Sequence, residues 1–347
     1  MSVERQLNAM AKRADVARAA GVAESTISYA LTGSRPISDE TKKRIFKAMK
    51  DLDYKPNAVA AALRSGSSKM VALVFNVSEN GISTSDIAYL LGAADAAREL
   101  GFHLILWPAR DRDIDEVIAQ VESGLLDGVI LMEVRLNDAR VKLFKKKGIP
   151  VALIGRTATP EKDIYADRDF EGAIRIAMEE LIRLGHKKID YLSTTQNQAS
   201  EGFGAIVRSE EAAAEFAHEH NVKLNILHAA ITHEAGFELG KSYAKRSNRA
   251  SAIVSINSEA IEGFSRGVRV GGLEIPTDIS LICIDSSDIE AVSQDPSLTT
   301  IAPPAAQMGA AAVSALIKSL QNLDIPDPEK LWTGTLVSRE STGPARK

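Results

Sequence analysis

The stretch "ADVARAAGVAESTISYALTG", Ala14 to Gly33, decides how the start of this chain folds. Val16, Ala19 and Ala20 keep helical spacing, and Gly21 follows as a stop signal. After Gly-Val-Ala the pattern restarts, with Ile27, Ala30 and Leu31 on one face and Gly33 as the second stop. Gly21 permits the positive φ that a tight turn between two helices wants. Two short helices so separated match the helix-turn-helix pattern, whose second helix lies in the DNA major groove with its early residues toward base edges. Those residues here are Glu24, Ser25, Thr26, Ser28 and Tyr29. Serine and threonine hydroxyls bond phosphates or bases, and Tyr29 does either or touches a thymine methyl. An ordinary helical hairpin remains the alternative on these residues alone.

Outward from that stretch, "SDETKKRIFKAMKDLDY" opens a third helix. Ser38 stands at its cap, and Asp39 and Glu40 occupy the first turn, where carboxylates suit the helix dipole. Ile45, Met49 and Leu52 keep helical spacing. The chain of 347 residues has a net charge of −4 that hides an asymmetry. Residues 1–66 carry 12 Lys/Arg against 7 Asp/Glu, a net of +5, and the remainder carries −9. A small basic head on a larger acidic body points to a polyanion partner for the head alone, although a merely solvated basic face gives the same count.

Past Lys69 the pattern changes to short apolar strands alternating with helices: "KMVALVF", "SDIAYLLGAADAARELG", "FHLILW" and onward. The alternation restarts beyond residue 170 with "GAIRIAMEELIRLGH" and "KKIDYL". Two such runs predict two α/β lobes, each a parallel sheet covered on both faces. Ligands of open α/β sheets bind beyond the carboxyl ends of the strands, so two facing lobes place the site in the cleft between them. One cysteine, Cys283, excludes an internal disulfide framework and suits a reducing compartment. No run reaches the length of a spanning helix, and the N-terminus lacks an apolar signal core. The expectation is a cytoplasmic protein that does not engage a membrane.

Enzyme chemistry finds little support. "GFSRG", Gly263 to Gly267, fits the G-x-S-x-G nucleophile elbow, but Ser265 falls inside a predicted helix rather than on a turn after a strand. The six histidines show no metal-ligand spacing, and no glycine-rich phosphate cradle follows a strand. "RLGHKKI" reads as a helix terminus with His186, Lys187 and Lys188 toward its carbonyls. No catalytic residue, metal or cofactor is assigned.

The chain resembles the LacI/GalR family of bacterial transcription factors. "DVARAAGV", "STISYAL", "ISDETKKRI", "LDYKPNAVAAAL", "RLGHKKIDYL", "IPTDIS" and "PSLTTI" carry the likeness in order over almost the whole length. The resemblance implies a helix-turn-helix head at 12–55, preceded by an extension at 1–11 unless Met10 is the start. A hinge helix and linker follow at 56–69. The core is a two-lobed fold like that of periplasmic sugar-binding proteins, with 70–168 and 299–322 in one lobe and 169–298 and 323–347 in the other. It further implies a homodimer on a pseudo-palindromic double-stranded operator, whose affinity a small-molecule effector changes.

Matched position by position, the family pattern assigns Asp285, Asn257 and Arg208 to the effector, with Asp167 and Phe170 in a cleft loop. Ser286, Ser258, Glu211 and Ala212 depart from it. Ser85 and Asp86 stand where many members carry a Phe pair, so Asp86 joins the candidates. Fewer stacking rings and more hydroxyl-binding groups favour a sugar or cyclic polyol over a purine. For each residue a surface cap or ion pair is the alternative. A nucleoside sensor and a sugar-binding protein without a regulatory role are the rival functions. In "PNAVAAALRSGSSK", Asn57, Leu63 and Arg64 resemble the family's hinge. A helix this short is marginal alone; Leu63 is expected to wedge into the minor groove, with Arg64 drawn to its negative potential.

Overall fold

The computed structural model describes residues 11–32, 35–55, 66–76, 82, 84–108, 114–323 and 331–346. Two compact units result, divided between Ser68 and Lys69.

The first unit holds α1 (Arg13–Ala20), α2 (Glu24–Thr32) and α3 (Asp39–Asp51). Gly21 adopts φ 64°, and its N–H turns back to the Ala17 and Arg18 carbonyls. The Val22 N–H closes on the Ala17 carbonyl at 3.0 Å, which ends α1 in a left-handed cap. Ser38 caps α3 as its sequence predicts, accepting the Thr41 N–H. Val16, Ala20, Ile27, Ala30, Ile45 and Ala48 are buried together, so each helix spends its apolar face on the other two. Leu52, placed on that face by spacing, stays 37% exposed.

The second unit contains two sheets. The first orders β2 (His103–Pro108), β1 (Met70–Phe75), β3 (Gly128–Leu131), β4 (Val151–Ile154), β5 (Ile164–Arg168) and β11 (Leu331–Trp332), all parallel. The second orders β7 (Lys223–His228), β6 (Lys188–Ser193), β8 (Ala252–Ser255), β9 (Ser280–Cys283), β10 (Thr299–Ala302) and β12 (Thr335–Val337), with β12 antiparallel. Buried clusters line both faces of each sheet, which explains why the strands read as continuous apolar runs. Both sheets reverse direction of winding beside their first strand, so each has its switch point there.

The remaining helices cover these faces: α4 (Thr84–Glu99), α5 (Ile114–Glu122) and α6 (Ala139–Lys146) on the first sheet, and α7 (Phe170–Arg183), α8 (Gln196–Ser200), α9 (Gly204–Glu219), α10 (His233–Ala244), α11 (Ser258–Val270) and α12 (Asp288–Ser293) in the second lobe. The last, α13 (Ala305–Leu320), returns to the first, where Met308, Ala312, Val313 and Leu316 join its core. The lobe boundaries differ from expectation at two points. Thr299–Ala302 pairs with β9 in the second lobe, so the chain crosses back only at Pro303–Pro304. Leu331–Trp332 pairs with β5 in the first lobe, so a third crossing follows at Thr333–Gly334. An apolar pair or quartet carries no mark of which sheet it will join; hydrogen-bond partners decide.

"GFSRG" has a packing explanation. Ser265 is buried within α11, two turns from its start. A Cβ on Gly263 would lie 1.9 Å from the His233 carbonyl oxygen, and one on Gly267 2.2 Å from that of Phe237. Gly236 and Gly240 on α10 face the same crossing. The glycines let two helix backbones touch. His186 also departs from its expected place at the end of α7. It is buried, with Nδ1 2.8 Å from the Ser251 hydroxyl and Nε2 3.2 Å from the Gly343 carbonyl. Burial holds it below the ordinary histidine range, and it ties the C-terminal segment to the second sheet.

Candidate functional site

On the head, burial of Ile27 and Ala30 turns the opposite face of α2 outward. Glu24 and Ser25 are exposed, and Thr26, Ser28 and Tyr29 are half-buried. Arg13 reaches across from α1 to the Glu24 carboxylate at 3.0 Å and the Ser28 hydroxyl at 3.3 Å. Those two side chains therefore also fix α2 against α1. The Arg35 guanidinium lies 5.5 Å from the Tyr29 ring centre. Asn57, Leu63 and Arg64 lie outside the described residues.

In the core, a cavity of about 410 Å³ opens between the lobes. The carboxyl ends of strands build it: Asn76 after β1, Met132 and Glu133 after β3, Gly155 and Arg156 after β4, Asp167 and Arg168 ending β5. From the second lobe come Thr194 after β6, Asn257 after β8 and Asp285 after β9. Asp86, Asp167, Phe170, Arg208, Asn257 and Asp285, chosen from sequence, all line this one space. Glu133, Arg156, Arg168, Tyr89 and Phe203 line it too and were not chosen. Loop positions after short strands carry no periodicity to reveal them. A buried arginine beside an aspartate at a strand end, as in "ADRDF", was the available signal for Arg168.

Charge is paired across the cleft. Arg168, on the first sheet and 1% exposed, gives one Nη to Asp285 Oδ1 at 3.2 Å and the other to the Ile301 carbonyl, both in the second lobe. Arg208, on α9, donates to the carbonyls of Arg156 and Thr157 at 3.2 and 2.9 Å. Asp167 lies 3.5 Å from Arg156 and 3.7 Å from Arg208. Glu133 sits at φ 53° and accepts the Asn76 N–H at 3.1 Å. Arg140 holds the carbonyls of Met132 and Glu133 from behind, in a bidentate pair with Asp138. That support overdetermines the strained Glu133 backbone.

Burial raises Asp167 to about 6, against the pull of Arg156 and Arg208. Burial likewise raises Asp285 to about 6, opposed by Arg168 and reinforced by Asp86. The Asp285 side chain keeps 38% of its surface open to the cleft, so it is desolvated by crowded walls rather than by full cover. A carboxyl whose folded pKa exceeds its unfolded one binds its proton better when folded, so its contribution to stability falls as pH rises from about 4 to about 6. Asp167→Asn should remove that slope: relative to the variant, the natural chain should lose core stability across this window. Denaturant titrations at pH 4, 5, 6 and 7 measure it, and parallel curves contradict it.

Two expected ligand groups are already engaged. Asn257 Oδ1 caps α11 at the Ala260 N–H, 3.1 Å away, and its Nδ2 holds the Ala229 carbonyl at 3.2 Å. Arg208 is spent on carbonyls of the facing lobe, as above. Asn257 thus acts as a helix cap in this structure, and Arg208 as a tie between the lobes. Conversely, Arg168 Nε and the Thr194 hydroxyl are buried at the cavity wall without a hydrogen-bond partner among the described residues.

A helix-turn-helix unit followed by two parallel-sheet lobes around a polar cleft defines a DNA-binding regulator with a ligand-binding core. The family comparisons agree. Bacterial regulatory proteins of the lacI family match residues 14–57, and a periplasmic binding protein-like domain matches 178–342. The HTH-type transcriptional regulator AglR of Rhizobium meliloti (strain 1021) is 30% identical over 336 residues, 94% of this chain and 92% of AglR. The chain belongs to the lacI family: it is a transcriptional regulator with an effector-binding domain, not an enzyme. Among solved structures, the lac repressor dimer bound to operator and the anti-inducer ONPF superposes with a TM-score of 0.82 at 19% identity, over 96% of this chain and 99% of that one. A CelR–cellobiose complex gives 0.70 at 22%, over 95% and 99%. Among the described residues no helix is long and apolar enough to cross a membrane.

Proposed function

We propose that this regulator binds a small hydroxyl-rich effector, a sugar or cyclic polyol, in the inter-lobe cleft, and that the ligand changes the affinity of a homodimer for a pseudo-palindromic operator. The carrying observation is the convergence of Asp86, Glu133, Asp167 and Asp285 with three arginines on one cavity. Carboxylates and guanidinium groups at close range accept from and donate to hydroxyls. The Tyr89, Phe170 and Phe203 rings add apolar surface for a sugar face. The cellobiose bound to CelR, a structure of the same fold, points the same way. Ile87 and Leu91 on α4, and Ile289 and Val292 on α12, are large apolar side chains left 43–71% exposed, and they supply pairing surface for a second copy. Ligand and operator then communicate by population shift between lobe arrangements. Calorimetry with sugars, polyols and nucleosides tests the effector class, and binding confined to nucleobases overturns it. At the operator, Leu63→Ala should weaken specific binding by roughly 100-fold and leave non-specific binding nearly unchanged, because a lost wedge forfeits the contacts that a bent duplex allows. Mobility shifts on operator and random DNA compare the two, and an equal loss on both removes the wedge.

A further inference from the structure

Residues 134–136, after β3 in the first lobe, lie against residues 202–204, at the start of α9 in the second. The Gly204 N–H donates to the Val134 carbonyl at 2.9 Å, and the Leu136 N–H donates to the Gly202 carbonyl at 2.8 Å. Arg135 and Phe203 form an isolated antiparallel bridge. The Arg135 guanidinium covers the Phe203 ring at 4.5 Å and reaches Glu201 at 3.5 Å. Gly204 permits the approach: a Cβ there would stand 3.2 Å from the Val134 carbonyl oxygen and 2.6 Å from Arg208 Nη1. The bridge is thus main chain to main chain, across the cleft, and Val134, Phe203 and Gly204 line the cavity behind it. The covalent crossings between the lobes follow β5, β10 and β11, elsewhere on the sheets.

We infer that this bridge is a rim latch that sets effector size. A molecule contained in the cavity of about 410 Å³ lets the latch close, and a longer chain running out past the rim holds it open. The effector is therefore a free compact sugar or polyol rather than an extended oligosaccharide. This rests on the cleft being the effector site, as proposed above. Because the bridge joins backbone to backbone, a ligand that props it open loses two hydrogen bonds, which no side-chain movement can restore.

Two measurements on the full chain test the latch without any ligand. Arg135 and Phe203 occupy a non-hydrogen-bonded antiparallel pair, whose Cα spacing of about 4.5 Å is within disulfide reach. The Arg135→Cys/Phe203→Cys variant should cross-link under mild oxidation, since native Cys283 is buried and does not compete. No cross-link under any oxidant overturns the bridge. Next, Ser258→Cys places a thiol on the cavity wall. A small maleimide and the same maleimide on long polyethylene glycol should label it at very different rates. Gly204→Pro removes one latch donor at the first residue of α9, where proline is tolerated, but its added carbons also crowd Arg208. Arg208→Ala is therefore its control, and Gly204→Pro should raise the ratio of large-reagent to small-reagent rate about tenfold above that control. Arg135→Ala, which leaves the backbone intact, should raise it less. An unchanged ratio in both backgrounds refutes the size limit. Calorimetry with glucose, cellobiose and cellotetraose then reads specificity: cellotetraose binding as well as cellobiose also refutes it. Failure of every sugar overturns the effector class alone, because both thiol results stand without one.

Discussion

Arg168→Met should cost the core about 3 kcal/mol, read as a lower denaturant midpoint for the transition of the second unit. Methionine keeps most of the aliphatic volume, so the loss is chiefly electrostatic. Arg168 is 1% exposed and carries one hydrogen bond to Asp285 and one to the Ile301 carbonyl. Removing one partner of a buried pair costs about 3–5 kcal/mol because the other charge is left stranded. Here the stranded group is Asp285, whose side chain is 38% open to the cleft, so water there recovers part of the loss and the lower end applies. Asp285 should answer by holding its proton to a higher pH than the natural carboxyl, since its main opposing charge is gone. Adding Asp285→Asn to Arg168→Met should then cost little more, a departure from additivity expected of contacting residues. A loss below about 1 kcal/mol for Arg168→Met would mean that the strap contributes little and that packing alone holds the lobes.

That experiment bears on a group the sequence did not reveal, and the reason is physical. Helix stops, caps and apolar periodicity are local, and they made the head legible: Gly21 in the left-handed region and Ser38 capping α3 depend on neighbours within four residues. The alternation of strands and helices made two lobes legible because each central strand must be apolar on both faces. Which sheet Thr299–Ala302 or Leu331–Trp332 joins depends on hydrogen bonds to strands that no local pattern names: Thr299 lies opposite Ile282, and Leu331 opposite Asp167, more than a hundred residues earlier. The six cleft residues came from a family pattern, and geometry gathers all of them. Composition could not have shown that Asn257 is consumed by its own cap, or that Arg208 straps the facing lobe rather than waiting for a ligand. It also gave no hint of Glu133, because a carboxyl held at positive φ looks like any other glutamate until Arg140 is seen behind it.

Asp285→Ala should lower affinity for the effector by about 100-fold while leaving operator binding by the head in place. The magnitude follows from two hydrogen bonds to a charged acceptor, each contributing about 1.5 kcal/mol or more. Asp285 is the natural acceptor because it faces the cavity from a strand end, has one oxygen bonded to Arg168, and sits where burial has already raised its pKa to about 6. The same value makes the interaction depend on pH. Ligand hydroxyls donate to the ionised carboxylate, so binding favours that form, pulls its pKa down and releases protons near pH 6. Affinity of the natural chain should accordingly rise from pH 5 to pH 7.5 and level off. Asp285→Asn keeps the shape but cannot ionise, so its weaker binding should lose that rise except for what Asp167, also raised to about 6, contributes. Calorimetry in buffers of different ionisation enthalpy counts the protons directly. If Asp285→Ala binds the effector as tightly as the natural chain, the ligand does not use the strand end of the second sheet. The carboxyls of the first lobe, Asp86 and Glu133, then become the acceptors to replace.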